Sequence, residues 1–213
     1  NCAAALYDGE VQAIIPKTHI PNYSEFYEAR HFTAAPVGCT SVTWQDGTTV
    51  PFGTDLLFTC KTMPGLKVAA EICEDLWTPN PPSVCHAMHG ATVIVNLSAS
   101  DEVTGKDSYR RDLVKIQSGR LVCGYIYASA GEGESSTDLV FGGHHLIAEN
   151  GSVLAESERF TNETIYGDLD IERLMGERRH YTTYDVIADA DGYIEVEYEM
   201  ASADAAFDRY VDK

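Results

Sequence analysis

Apolar runs of strand length alternate with helix-like segments through the middle of the chain. Three runs, rich in valine, isoleucine and other buried residue types, are strand-like: residues 67–72, 91–97 and 122–128. Between them, residues 79–89 open with prolines typical of a helix start, and residues 108–121 have amphipathic helical spacing. Buried strands connected by helices are typical of parallel pairing. The pattern therefore predicts two consecutive strand–helix–strand units.

Turn dipeptides predict antiparallel hairpins on either side of these units. Asp8-Gly9 and Asn150-Gly151 are combinations that favour tight hairpin turns. The two predicted hairpins join residues 1–7 to 11–15 and residues 139–147 to 153–156.

The last part of the chain is predicted to contain one further strand, at residues 165–171, and an irregular acidic tail beyond Arg178. Hairpins combined with helix-linked strands favour a layered α/β sandwich, with helices outside two central sheets. A purely doubly wound sheet fits the pattern less well.

Composition limits the possible partners. The 213 residues are 44% hydrophobic, which is enough for one compact unit, and 33 acidic against 15 basic residues give a net charge of −18. Such a charge argues against binding to nucleic acid or to an anionic membrane surface. The six scattered cysteines and the lack of a membrane-spanning apolar run predict a cytoplasmic protein with reduced thiols.

Cys73 is the strongest candidate for a reactive group, since it follows the 67–72 strand where the chain turns. A thiol there is held by a rigid strand, and free backbone N–H groups of the turn can stabilise a developing oxyanion. The nearby acids Glu71, Glu74 and Asp75 disfavour a thiolate unless a cation compensates. Lys17, at the end of another predicted strand, is the candidate cation. The alternatives are a buried structural cysteine and a solvated lysine.

Other polar segments do not complete a ligand-binding motif. The glycine-rich residues 131–136 carry two carboxylates and lack the lysine of a phosphate-binding loop. Cys85, His86 and His89 have one-turn spacing, but no second ligand pair accompanies them. We therefore predict no metal site.

Five segments together resemble a known family: residues 16–28, 71–77, 96–102, 133–141 and 147–151. They closely resemble, in the same order, the glutaminase domain of glutamine-dependent NAD⁺ synthetases, which belongs to the nitrilase or carbon-nitrogen hydrolase superfamily. The resemblance implies an α-β-β-α sandwich, incomplete at its N-terminus. It also implies a hydrolase domain at residues 1–180 and an acidic extension at residues 181–213 that leads toward a synthetase domain outside the sequence.

The resemblance also implies the catalytic groups. Cys73 matches the nucleophile and Lys17 the lysine of a Glu-Lys-Cys triad, whose general-base glutamate is expected upstream of Asn1. Glu25 matches a second glutamate that supports the lysine. The positions that match glutamine-binding or pocket-lining residues are Tyr23, Glu74, Trp77, Ser100 and Lys106.

From this resemblance we expect cysteine-dependent hydrolysis of glutamine and delivery of ammonia to deamido-NAD⁺. No cofactor is expected in this domain, whereas ATP and Mg²⁺ would act in the synthetase domain. We also expect a homo-oligomer, and we expect the 213 residues alone to be inactive. The alternatives are an amidase that acts on another small amide and an inactive interaction module.

Overall fold

The computed structural model describes residues 1–134, 137–187 and 192–201, so part of the 131–136 loop and about half of the 181–213 extension lie outside the described residues. The strands are β1 (Cys2–Tyr7), β2 (Glu10–Pro16), β3 (Thr40–Thr43), β4 (Thr49–Phe52), β5 (Leu56–Cys60), β6 (Lys67–Ile72), β7 (Val93–Ser98), β8 (Gly124–Ser129), β9 (Leu146–Glu149), β10 (Ser152–Glu156) and β11 (Ile194–Tyr198). The α-helices are α1 (Pro82–Met88), α2 (Lys106–Leu121) and α3 (Ile171–His180), and short 3₁₀ turns cover Glu28–Arg30 and Cys73–Trp77.

The strands form two sheets. One has four strands in the order β1-β2-β4-β3, and the other has seven in the order β10-β9-β8-β7-β6-β5-β11. Strands β6, β7 and β8 pair in parallel, with α1 and α2 as their connections. The two predicted strand–helix–strand units are therefore confirmed.

Side chains alternate between the two faces of the seven-stranded sheet, and each face has its own core. Ala69 and Ile94 pack with residues of α1 and α2 on one face. Ala70 and Ile72 pack against Ala13 and Ile15 of the four-stranded sheet on the other face.

The helix α3 also packs against the seven-stranded sheet, where Ile171 and Leu174 contact Val93 of β7. All three α-helices of the described residues thus pack against the seven-stranded sheet. None of the helices in this part of the chain combines the length and apolar character needed to cross a membrane.

Both predicted hairpin turns are confirmed. Asp8 and Gly9 have φ angles of 50° and 81° between β1 and β2. Asn150 and Gly151 have φ angles of 45° and 81° between β9 and β10. Positive φ at both central positions is the geometry that suits the twist of a two-residue hairpin.

The predicted strand at residues 165–171 is wrong. Residues 161–170 are irregular, and α3 begins at Ile171 because Asp170 caps it. The Asp170 carboxylate accepts a hydrogen bond from the backbone N–H of Arg173 at 2.9 Å, as an N-cap residue does. The backbone N–H of Asp170 donates to Glu149 Oε2 at 2.6 Å and fixes this helix start against β9.

Two other boundaries differ from the prediction. The strand predicted from residue 139 begins only at Leu146, because the backbone before it turns through Gly143, whose φ is 64°. The tail beyond Arg178 is not wholly irregular, since Ile194–Tyr198 forms β11 and pairs in parallel with β5. The acidic side chains of β11 are neutralised there: Lys67 Nζ lies 2.7 Å from Glu195.

Candidate active site

The ends of β2 and β6 bring Lys17 and Cys73 to one cavity. Lys17 follows the last residue of β2, and Cys73 follows the last residue of β6, so the two side chains come from different sheets. Both line a cavity of about 350 Å³, together with Glu28, Leu97 and Ser98. The side chain of Lys17 is 1% exposed, so its charge acts at the cavity rather than in bulk solvent. The predicted pair is brought together by the fold.

The backbone at Cys73 is in an unusual conformation. Its φ is 49°, in the left-handed region that non-glycine residues rarely occupy. The surrounding contacts hold it there, since the Cys73 N–H donates to Asn96 Oδ1 at 3.1 Å. Asn96 is buried and donates in turn to Tyr125 Oη at 3.2 Å. Conformations of this kind cost ~1–3 kcal/mol and concentrate at functional sites.

Asp75 connects the turn after Cys73 to the turn after Lys17. Its Oδ1 accepts from the His19 N–H at 2.7 Å, and its Oδ2 accepts from the N–H groups of Ile72 at 2.9 Å and Thr18 at 3.4 Å. Burial raises the pKa of Asp75, and these backbone hydrogen bonds oppose that rise. One carboxylate thus fixes the relative positions of the two candidate catalytic residues.

The carboxylate that holds Lys17 is Glu28. Lys17 Nζ donates to Glu28 Oε1 at 2.8 Å and to Oε2 at 2.9 Å. In the described chain, no hydrogen bond or ion pair joins Glu25 to Lys17, so the expected supporting contact of Glu25 is made by Glu28 instead. The reason is tertiary: the loop after Pro21 folds back and starts a 3₁₀ turn at Glu28. Sequence spacing contains no signal that selects Glu28 over Glu25.

The acidic neighbours of Cys73 are occupied by other partners. Glu71 is buried beneath the helices, where it accepts hydrogen bonds from the Tyr125 hydroxyl and from the Ser83 N–H at 2.8 Å. Desolvation raises its pKa to about 7 although these hydrogen bonds lower it. Glu71 is therefore partly protonated near neutral pH, which weakens its effect on the thiol. Glu74 accepts from the Tyr23 hydroxyl at 2.7 Å.

Four of the five residues matched to glutamine binding lie in one contact cluster beside Cys73. Tyr23 is bonded to Glu74 and packs edge-on against Phe26 at 6.0 Å between ring centroids. Lys106 Nζ lies 5.6 Å from the Phe26 centroid and 5.3 Å from the Trp77 centroid, within cation–π range. Phe26 was not predicted from the sequence.

The fifth residue, Ser100, is 2% exposed and lies behind this cluster. Its hydroxyl accepts a hydrogen bond from Arg110 Nη2 at 3.3 Å. The next residue, Asp101, forms an ion pair with Lys106. Ser100 and Lys106 are thus joined through one short loop, although Ser100 itself is buried.

The histidines near Cys85 serve structural contacts. His86 Nδ1 lies 2.8 Å from the Tyr193 hydroxyl, and His89 Nδ1 lies 2.8 Å from the Cys85 carbonyl oxygen. Burial lowers the pKa of His86 to about 4, so its imidazole is neutral at ordinary pH. Within residues 1–134, 137–187 and 192–201, no group of three or more histidine, cysteine or acidic side chains could hold a metal ion.

Comparison with known sequences identifies the family. The family described as Carbon-nitrogen hydrolase matches residues 6–179. The chain is 43% identical over 187 residues to the glutamine-dependent NAD(+) synthetase of Mycobacterium tuberculosis, covering 87% of this chain and 27% of that protein. It is 31% identical over 217 residues to the Homo sapiens glutamine-dependent NAD(+) synthetase, covering 94% and 30%. The chain thus spans less than a third of the length of these relatives.

Solved structures agree with the sequence comparisons. A glutamine-dependent NAD(+) synthetase from Cytophaga hutchinsonii superposes with a TM-score of 0.65 at 32% identity, covering 76% of this chain and 26% of that one. A carbon-nitrogen hydrolase from Helicobacter pylori superposes with a TM-score of 0.62 at 18% identity, covering 82% and 57%, and so supports the fold alone. The chain belongs to the carbon-nitrogen hydrolase family and has the nitrilase-type sandwich fold.

Proposed function

We propose that this chain is the glutaminase part of a glutamine-dependent NAD⁺ synthetase. The observation that carries the proposal is the meeting of Cys73 and the buried Lys17 at one cavity, in a chain 43% identical to a protein of that name. A strand-end thiol beside a fixed cation suits nucleophilic attack on an amide carbonyl.

In this mechanism, Cys73 Sγ attacks the side-chain amide carbon of glutamine, and the Lys17 ammonium donates a hydrogen bond to the tetrahedral oxyanion. The amide nitrogen gains a proton and leaves as ammonia, which leaves a glutamyl thioester on Cys73. Water then attacks the thioester and releases glutamate and the free thiol. The proton carrier in this proposal is a glutamate upstream of Asn1, whereas Glu28 holds Lys17 in place.

The cluster beside the cavity has the charges that an amino-acid substrate needs. Glu74 and the Tyr23 hydroxyl suit the α-ammonium group, and Lys106 suits the α-carboxylate. Trp77 lies beneath Lys106, with 5.3 Å between Lys106 Nζ and the ring centroid, and is proposed to line the pocket beside the α-carboxylate.

In the whole protein, the hydrolase domain would supply ammonia to a synthetase part. Residues 1–180 form the hydrolase domain, and residues 181–213 lead toward the synthetase part. Ammonia released at Cys73 is used there to amidate deamido-NAD⁺ with ATP and Mg²⁺, and the hydrolase domain itself uses no cofactor. The protein acts in the cytoplasm as a homo-oligomer.

The experiment compares nitrogen donors in the full-length protein. Cys73→Ala should lower glutamine-dependent NAD⁺ synthesis by at least roughly a thousandfold and leave synthesis from free ammonia largely intact. Cys85→Ala, which removes an exposed cysteine, is the matched control. Equal loss with both donors would make Cys73 structural. Faster turnover of simple amides than of glutamine would instead indicate an amidase.

A further inference from the structure

We propose that Arg110 is a positioning residue for glutamine binding, and this inference rests on the proposed function. It fixes the loop of residues 99–102, and with it Ser100 and the Asp101 partner of Lys106, relative to α2. Removing its hydrogen bonds should weaken glutamine binding while the reactivity of Cys73 is retained.

The guanidinium of Arg110 is fully buried and bonded along the loop. Its side chain is 0% exposed. Nη2 donates to Ser100 Oγ at 3.3 Å and to the Asp101 carbonyl oxygen at 3.1 Å. Nη1 donates to Glu102 Oε1 at 2.6 Å. Three consecutive loop residues are therefore bonded to one planar side chain.

Lys106 and Arg110 act on this loop from the same face of α2. They are four residues apart, which places them one helical turn apart on one side. Lys106 pairs with the Asp101 carboxylate, and Arg110 bonds the carbonyl of the same residue. The position of the Lys106 ammonium over Trp77 therefore depends on where Arg110 holds Asp101.

The guanidinium of Arg110 is also hydrogen-bonded to His144. Arginine nitrogens can only donate, so His144 Nδ1 accepts from Nη1 at 2.9 Å. The ring proton is then on Nε2, which donates to Glu156 Oε1 at 2.9 Å. Glu156 belongs to β10 and also accepts from Arg111 Nε at 2.6 Å. The orientation of Arg110 is thereby fixed by the sheet and not by α2 alone.

A lysine at position 110 would keep the positive charge but could not make the same set of hydrogen bonds. A single ammonium has three donors at one point and cannot bond four acceptors spread over Ser100, Asp101, Glu102 and His144. We expect the loop to lose its hydrogen bonds to Ser100 and Asp101 first, because those distances are the longer ones.

The test uses the full-length protein with Arg110→Lys and, as the control, Lys115→Gln on the same helix. Lys115 is exposed and takes no part in the hydrogen bonds that link Arg110 to His144 and Glu156. The measurements are KM and kcat for glutamine and the rate at which iodoacetamide alkylates Cys73. For Arg110→Lys we expect KM to rise about tenfold or more, as for a lost charged hydrogen bond, with kcat and alkylation within about threefold.

The control should match the unchanged protein in all three measurements. An unchanged KM in Arg110→Lys, or kcat and alkylation falling while KM stays constant, would overturn the inference. If Arg110→Lys does not fold, His144→Asn replaces it, and a rise in KM of about threefold supports the inference whereas an unchanged KM overturns it. No turnover in the unchanged protein would refute the proposed function, and with it this inference.

Discussion

The Asp75 carboxylate accepts a hydrogen bond from the backbone N–H of His19 at 2.7 Å, and this contact ties together the two strand ends of the candidate active site. His19 follows the end of β2 in one sheet, and Asp75 lies in the turn after β6 in the other. The relative position of Lys17 and Cys73 therefore depends on a link across the two sheets.

Asp75→Asn should damage both folding and glutamine use. An asparagine amide has one acceptor oxygen, and its NH₂ group would face N–H donors that it cannot bond. We expect a loss of roughly 2–3 kcal/mol in the free energy of unfolding and a large loss of glutaminase rate. Urea unfolding and glutamate release are the measurements, with the exposed Asp112→Asn as control. Equal stability of the two variants would contradict the role given to Asp75.

Lys17→Met should lose glutamine-dependent activity nearly as completely as Cys73→Ala. It removes the only lysine that lines the cavity among the described residues and leaves Glu28 without its ion-pair partner. Lys17→Arg should not restore activity, since the planar guanidinium has a different reach and donor geometry. Activity with free ammonia, measured on the same preparations, should be unchanged. Normal glutamine turnover in Lys17→Met would show that the lysine has no part in the chemistry.

Glu71→Gln should change the pH dependence of stability. The pKa of Glu71 in the folded protein is raised to about 7, so its stabilising contribution is complete below the ordinary value of 4.5 and is lost as pH rises toward 7. Glutamine mimics the protonated carboxyl and has no such loss. Relative to the unchanged protein, the variant should therefore gain roughly 2–3 kcal/mol of stability between pH 5 and pH 8.

Urea unfolding of both proteins at the two pH values measures this difference. Titration of the other groups is common to both and cancels in the comparison. A difference in unfolding free energy that does not vary with pH would show that Glu71 is ionised throughout this range.

The 213-residue chain expressed by itself should not turn over glutamine. The proposed proton carrier lies outside it, so the thioester cycle lacks a base, although Cys73 should still react with iodoacetamide. Glutamate release is compared with that of the Cys73→Ala variant of the same chain. Sustained release well above that control would require a base within these residues, and Glu28 would be the first to test.

Local patterns predicted the parts of the fold that local chemistry determines. The turns at Asp8-Gly9 and Asn150-Gly151 need positive φ, and these residue pairs are ones that adopt it readily. The strand β11 was missed although it alternates apolar and acidic residues, which is a strand pattern. Its acidic residues made the segment look irregular, because Lys67, which pairs with Glu195, lies far away in sequence. The start of α3 depends on Asp170, which caps the helix. This local signal was overlooked because the residues before it have a strand-like composition.

The candidate site could be predicted only in part. Cys73 and Lys17 stand at strand ends, which periodicity can locate. The choice of Glu28 over Glu25 depends on how the loop after Pro21 folds back, and no spacing rule contains that information. The raised pKa of Glu71 likewise depends on burial beneath the helices, which its neighbours in sequence do not reveal.

The role of Cys73 as the nucleophile is tested most directly by the mass of the Cys73 peptide after the full-length protein has been mixed with glutamine and quenched in acid during turnover. We expect a glutamyl group on Cys73 that is present with glutamine, absent with ammonia, and unchanged in amount in Cys85→Ala. A glutamyl group on another residue, or glutamine turnover that persists without any adduct and survives Cys73→Ala, would contradict the assignment of Cys73 as the nucleophile.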